Sequence, residues 1–185
     1  MTPIDLWFRL LFSPDIEGTK LDLNPKDPGN YTPDGRLLGS QCGISAKEFP
    51  DAPFGHITPG YAARLAKAKY WDAHGLDNFP PAIAILLADS YYNGGEPIRW
   101  LQRAVGTQVD GQWGPKSQSA LRVAWSQGPI QVLVVYTSCR IKYLAGLNKP
   151  EMMEGWAKRC MMMLCLAIQV VGGLPAVTVT EGTSV

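Results

Sequence analysis

Glu17 is the residue of this sequence whose position best suits acid chemistry. It follows an apolar segment that is predicted to be helical, and it directly precedes Gly18. Apolar surroundings disfavour a charged carboxylate, and so does the negative end of a helix, so both are expected to raise the pKa of Glu17. A carboxyl group kept in its neutral form can protonate a glycosidic oxygen. Spacing alone favours the simpler alternative, an exposed glutamate at a helix end.

Other common catalytic and binding sites are not indicated by the sequence. The two histidines, His56 and His74, do not have the spacing of zinc ligands. The acidic run that begins at Asp22 starts like a calcium loop but lacks the glycine at its sixth position, and no glycine-rich phosphate loop is present. Cys42 precedes a glycine and is typical of a small buried residue. We therefore expect no metal and no cofactor.

The composition predicts a folded protein. Of the 185 residues, 46% are hydrophobic and 18% are charged, which excludes the composition of a disordered chain. The 17 basic and 16 acidic residues give a net charge of +1, so no general attraction to nucleic acid or to an anionic membrane is expected. The longest apolar stretch, residues 160–171, is shorter than the roughly 20 residues of a membrane span and is predicted to be a core helix.

Proline and glycine divide a mainly helical pattern into short elements. Apolar spacing predicts helices from Pro3 to Pro14, from Pro59 to Ala73, from Pro81 to Gly94 and from Pro97 to Gly106, and over residues 115–126, 130–147 and 151–171. The turn-rich segment between residues 20 and 43 is predicted to contain short strands at 21–23 and 36–38 that pair with each other. The four cysteines are predicted to be reduced and mostly buried.

Three short motifs follow one another in an order that is typical of one enzyme family. They are Glu17-Gly18-Thr19 and the runs 27–30 and 39–45. They resemble the Glu-Gly-Gly, Asp-Pro-Gly-Gly and Thr-x-x-Gly-Ile motifs of glycoside hydrolase family 108, muramidases found as phage endolysins and as secretion-associated bacterial enzymes. Two further segments resemble the catalytic part of the family, namely residues 69–72 and Asp89 with 93–95. Three more resemble its peptidoglycan-associated region, namely the runs 101–106, 109–116 and 155–159.

The resemblance implies a mainly α, lysozyme-like fold with a small loop and β-hairpin region near residues 20–43. It implies a catalytic region over residues 1–95 and a helical peptidoglycan-binding-like region over 96–172 packed on it. The tail over residues 173–185 lacks periodicity and is predicted to be loose. It also implies an endolysin-type N-acetylmuramidase that hydrolyses the β-1,4 bond between N-acetylmuramic acid and N-acetylglucosamine, with Glu17 as general acid. Thr19 and Asn30 stand where the family has glycine, and Ser40 stands where it has threonine.

Glycosidases commonly use a second carboxyl group. Asp27 is the candidate because its turn-rich segment could fold back over Glu17, although a turn-capping aspartate is an equally good interpretation, and Asp22 is the reserve. The side chains expected to contact the sugar are Ser40, Tyr92 and Asn93 through hydrogen bonds, and Tyr31 by stacking on a ring face. Stacking by Trp71 is the weaker interpretation, because its helical spacing indicates a core residue.

Two other functions remain open at this point. A lytic transglycosylase also uses one glutamate, and a non-catalytic peptidoglycan-binding or secretion-helper protein is suggested by Thr19.

The N-terminal stretch lacks a basic opening and a cleavage site, so no secretory signal is predicted. We therefore expect the protein to reside in the host cytoplasm and to reach the periplasm and cell wall after release by another protein of the holin type.

Overall fold

The computed structural model describes residues 1–13 and 19–173, and it divides the chain into two compact units, Met1–Gly75 and Leu76–Val185. The described residues form seven α-helices and one two-stranded sheet, which confirms the mainly α, lysozyme-like prediction. Each of the seven helices begins at a proline. Proline suits the first helical turn because the N–H that it lacks would have no partner there.

The first unit opens with a helix that is capped at its start and buried on one face. Helix α1 spans Pro3–Leu11, and Thr2 and Asp5 form a reciprocal capping box at its N-terminus. The helix ends ahead of Pro14, as the sequence predicts. Trp7 is fully buried and its ring stacks on that of Trp71, with 6.2 Å between the ring centroids.

The turn-rich segment forms a hairpin, but not with the predicted strands. Strands β1 (Ser40–Gln41) and β2 (Ile44–Ser45) pair antiparallel around a two-residue turn at Cys42 and Gly43, both with positive φ. The prediction that 21–23 pairs with 36–38 is wrong, because Asp22 bridges to Ser40 and Leu37 bridges to Tyr31. The leucines of the predicted strands, Leu21, Leu23 and Leu37, are exposed, so no buried face fixes the expected register.

The rest of the first unit is a helical segment that changes its winding along its length. Helix α2 spans Pro59–Ala66, with Thr58 as N-cap, and continues as a π-helical turn over Lys67–Trp71 and a 3-10 turn over Asp72–His74. Gly75 ends it with a left-handed conformation. This confirms the predicted helix from Pro59 to Ala73, apart from the change in winding.

The second unit is a helical bundle built around one buried helix. After a 3-10 turn at Leu76–Asn78, its helices are α3 (Pro81–Asn93), α4 (Pro97–Ala104), α5 (Pro115–Gln127), α6 (Pro129–Ala145) and α7 (Pro150–Gly172). Residues 82–90 of α3 are buried on every side, and α3 packs on α4 and α7 while α6 packs on α4, α5 and α7. The predicted helices of this region are confirmed to within about two residues at each end.

Candidate active site

The proposed acid, Glu17, lies outside the described residues, but the chain that follows it is anchored. The side-chain amide of Gln41 donates to the backbone oxygen of Thr19 across 3.2 Å. The oxygen of the same amide accepts from the backbone N–H groups of Gly55, at 2.9 Å, and Ile57, at 3.3 Å. One side chain of the hairpin therefore ties the residue two positions after Glu17 to a second loop of the same unit.

Asp27 caps a turn, as one of its two interpretations predicts. Its Oδ1 accepts from the backbone N–H of Gly29 across 2.8 Å, at the start of the 3-10 turn Pro28–Asn30. The carboxyl group is exposed. Capping fixes the direction of the side chain and engages one of its oxygens, so a catalytic role would have to use the other oxygen, Oδ2.

Asn30 holds the candidate carboxylates of the first unit in one loop. Its fully buried side chain donates from Nδ2 to Oδ2 of Asp22, at 3.2 Å, and to the backbone oxygen of Asn24, at 3.1 Å. The backbone N–H of Asn30 donates to the oxygen of Asp27, and its own carbonyl accepts from Leu38 and Gly39. The family's glycine at this position has no side chain to make the first two bonds, so the substitution supplies a new support to the loop.

Ser40 lies at the crossing of two chain segments. Its backbone exchanges two hydrogen bonds with Asp22, of 2.8 and 2.9 Å, while it also pairs with Ser45 in the hairpin. Gly39 makes this crossing possible, since a Cβ there would lie 2.4 Å from the backbone oxygen of Asp22, at a φ of +91°. The structure thus brings the reserve carboxylate Asp22 and the predicted sugar ligand Ser40 together.

The two aromatic candidates differ in their availability to a sugar. Tyr31 is half-buried and its hydroxyl donates to the backbone oxygen of Pro25 across 3.2 Å, which leaves part of its ring accessible. Trp71 is 2% exposed and stacked on Trp7, so it is a core residue, as its spacing indicates.

Tyr92 and Asn93 belong to the second unit, on the last turn of α3. The guanidinium of Arg159 lies over the ring of Tyr92, 5.4 Å from its centroid. The side chain of Asn93 donates to the backbone oxygen of Asp89 across 2.9 Å and is otherwise exposed. Their roles as sugar ligands stay predictions.

The second unit contains a buried ionic cluster that the sequence analysis did not identify. Asp89 has no exposed surface, and its carboxylate accepts from Arg140 Nη1 at 2.6 Å and from Arg159 Nη2 at 2.8 Å. Burial alone would raise the pKa of Asp89, but the two guanidinium groups outweigh it and hold the pKa below its usual range. Asp89 is therefore an ionised structural carboxylate and not a proton donor. The sequence feature that could have indicated this cluster is Asp89 itself, the one charged residue in the apolar helix α3, because a buried charge needs a partner.

No group of three or more potential metal ligands occurs within residues 1–13 and 19–173. In the same part of the chain, no helix is long and apolar enough to cross a membrane.

The four cysteines are free thiols; Cys42 and Cys160 are buried, whereas Cys165 is exposed. Burial raises the pKa of the Cys160 thiol, which packs beside the ionic cluster.

Comparison with known proteins matches two family profiles in sequence order. Residues 15–95 match Glycosyl hydrolase 108, and residues 96–161 match the family described as "Predicted Peptidoglycan domain". No protein of curated function matches. Among solved structures, the fold is similar to that of Brucella abortus SagA, with a TM-score of 0.69 and 21% sequence identity, over 90% of this chain and 94% of that one. Residues 15–95 are therefore a glycosyl hydrolase 108 region and residues 96–161 a peptidoglycan domain, and the chain is a glycoside hydrolase that acts on peptidoglycan.

Proposed function

We propose that the protein is an N-acetylmuramidase that hydrolyses the β-1,4 bond between N-acetylmuramic acid and N-acetylglucosamine, with Glu17 as general acid. The observation that carries this proposal is the match of residues 15–95 to a glycosidase family, because the match begins at the segment that contains Glu17 and includes the loop with Asp27 and Ser40. The anchoring of Thr19 by Gln41 supports it, since a catalytic acid must be held in position relative to the glycosidic oxygen.

In this mechanism the neutral carboxyl of Glu17 gives its proton to the leaving oxygen as the glycosidic bond breaks. Positive charge then develops at the anomeric carbon. We assign its stabilisation, or the positioning of the attacking water, to Asp27. Capping of Gly29 N–H through Oδ1 gives this carboxyl group a fixed direction. Ser40 and Tyr31, on the same loop, are proposed to contact the sugar.

The test is a comparison of Glu17→Gln with Asp27→Asn and with Asp34→Asn as matched control. Asp34 is an exposed carboxylate of the same loop that pairs with Arg36 and accepts a hydrogen bond from Thr32. Asparagine keeps an acceptor for Thr32, so the variant tests the loss of a charge from the loop. We expect Glu17→Gln to abolish release of reducing ends from purified peptidoglycan while its circular dichroism is kept. We expect Asp27→Asn to lower kcat strongly with KM little changed, and Asp34→Asn to retain activity. Full activity of Glu17→Gln would refute the acid assignment.

The same digestion distinguishes the two alternatives. Products lacking one water, detected by mass spectrometry, would identify a lytic transglycosylase, which closes an anhydro ring instead of admitting water. Binding to insoluble peptidoglycan with neither new reducing ends nor anhydro products would identify a helper protein. As part of the proposal, the enzyme reaches its substrate from the host cytoplasm through a holin-type partner. Lysis that depends on co-expression of such a partner would support this, and lysis without one would contradict it.

A further inference from the structure

Two aromatic side chains of the second unit lie against each other at its surface. Phe79 follows the 3-10 turn Leu76–Asn78, and Trp113 lies in the loop between α4 and α5. The centroids of the two rings are 5.1 Å apart, with 36° between the ring planes. Both side chains are half-buried, so each keeps part of its ring accessible. We call these two residues the aromatic pair.

The loop that carries Trp113 is held by one buried side chain. Gln102 is 1% exposed, and its Nε2 donates to Oδ1 of Asp110 at 2.7 Å and to the backbone oxygen of Gln112 at 2.9 Å. Its Oε1 accepts from the backbone N–H of Gly111 across 2.8 Å. A buried polar side chain whose donor and acceptor are both engaged fixes the groups around it. The backbone directly before Trp113 is therefore held in place.

Arg99 adds a second support to this loop. Its Nη1 donates to the backbone oxygen of Val109 across 3.0 Å. A Cβ at Gly111 would lie 3.3 Å from Nε of Arg99, and Gly111 has a φ of +81°, so the turn needs glycine both for its conformation and for the close approach of Arg99. A surface that is fixed before binding loses less entropy when a ligand binds.

The same loop offers a charged acceptor close in sequence to the tryptophan. Oδ1 of Asp110 accepts from the backbone N–H of Gln112 and from the side chain of Gln102. These bonds lower the pKa of Asp110, which is exposed and therefore ionised at neutral pH. Its other oxygen, Oδ2, is available to accept from a hydroxyl group of a ligand.

The surroundings of the aromatic pair in the chain are polar. None of the large hydrophobic side chains that are exposed lies between residues 76 and 122. A stable protein interface covers about 800 Å² on each partner and has an apolar centre. Two half-buried rings in a polar stretch are too small an apolar surface for that, and they suit a ligand that is itself amphipathic, such as a sugar.

We propose that the aromatic pair binds the glycan strand of peptidoglycan by stacking on the faces of its sugar rings, and that Asp110 accepts from a sugar hydroxyl. The face of a β-1,4-linked sugar presents C–H groups, which are attracted to the negative face of an aromatic ring. The inference rests on the proposed function for its polymer, and on the match of residues 96–161 to a peptidoglycan domain, which includes Trp113 and Gln102. This contact holds the enzyme on the strand without taking part in the cleavage.

The tests use the full chain with Glu17→Gln, so that substrate is not consumed. The first probe is a linear tetramer of N-acetylglucosamine, which lacks the bond that the enzyme is proposed to cleave. Its titration is followed by the backbone N–H NMR signals of Gln112 and Trp113. We expect a saturable shift of both signals, and an affinity at least about tenfold weaker for a free stem peptide. No shift with the tetramer, or equal or tighter binding of the stem peptide, would overturn the proposal.

Substitution of Trp113 distinguishes stacking from apolar packing. Trp113→Tyr keeps an aromatic face and should retain the affinity for the tetramer within about threefold, whereas Trp113→Leu keeps only an apolar side chain and should weaken it at least about tenfold. Trp125 on α5 is also half-buried, so Trp125→Leu is the matched control and should leave the affinity unchanged. Equal affinities of Trp113→Tyr and Trp113→Leu would contradict stacking, and an equal loss in Trp125→Leu would contradict the location.

Peptidoglycan sacculi distinguish the glycan from the peptide stems as the ligand. Glu17→Gln protein should sediment equally with intact sacculi and with sacculi whose stems an amidase has removed, and adding Trp113→Leu should weaken both at least about threefold. Loss of binding on removal of the stems would refute glycan recognition. The NMR titration follows binding and not cleavage, so retained lysis by Glu17→Gln would refute the acid assignment without affecting that titration.

Discussion

Replacement of Asp89 by asparagine tests whether the ionic cluster stabilises the second unit. The variant keeps the size of the side chain but removes the charge that Arg140 and Arg159 share. Arg140 would then be buried without its carboxylate partner. Loss of one partner from a buried ion pair costs about 3–5 kcal/mol of the free energy of unfolding. In a protein of this size each kcal/mol lowers Tm by about 2–4 °C, so we expect a decrease of roughly 6–20 °C.

The measurement is thermal unfolding followed by circular dichroism at pH 7, with Glu96→Gln as matched control. Glu96 pairs with Arg99 in the same unit across 3.3 Å, but both side chains are largely exposed. An exposed pair contributes at most about 1 kcal/mol, so the control should lose less than about 4 °C. If Asp89→Asn melts within about 2 °C of the unchanged protein, the inference that a shared buried carboxylate stabilises this unit is wrong.

Three further predictions concern pH, a glycine and the hairpin. The pKa of Asp89 is lowered by folding, so the unfolded chain binds the proton more readily. The unfolding free energy should therefore fall below about pH 3.9 in the unchanged protein, and less steeply in Asp89→Asn, measured by urea unfolding across pH. Gly39→Ala should destabilise by at least about 1 kcal/mol more than Gly35→Ala, because both have positive φ but only Gly39 is crowded by Asp22; equal Tm values would contradict this. Gln41→Glu keeps the oxygen that accepts from Gly55 and Ile57 but loses the N–H that donates to Thr19. We therefore expect kcat to fall while KM and Tm change little. An unchanged kcat would exclude the positioning of Glu17 through Thr19.

Together, the contacts of the first unit show how the loop near the proposed acid is built. Asn30 and Ser40 both depart from the family motif, and both are part of the support of this loop. Asn30 adds side-chain bonds where the family has glycine, and Ser40 keeps a hydroxyl where the family has threonine. The departure at Asn30 thus strengthens the loop.

The sequence by itself determined the helices and the family. Proline at helix starts and glycine at helix ends are local signals, since they act through the backbone of the residue itself and its neighbours. The starts of the helices at Pro59, Pro81 and Pro97 were therefore predictable to the residue. The motifs around Glu17 and Asp27 likewise lie in one continuous stretch, and the family match confirms the relationship that they predicted.

Only the tertiary structure decided which distant residues meet. Asp89 lies 51 residues from Arg140 and 70 from Arg159, and nothing in the local pattern of any of them selects the other two. The pairing of Asp22 with Ser40 in place of the expected strands has the same origin. The physical reason is that burial makes such contacts decisive, because a charge or a peptide group withdrawn from water must find a partner wherever the packed chain supplies one.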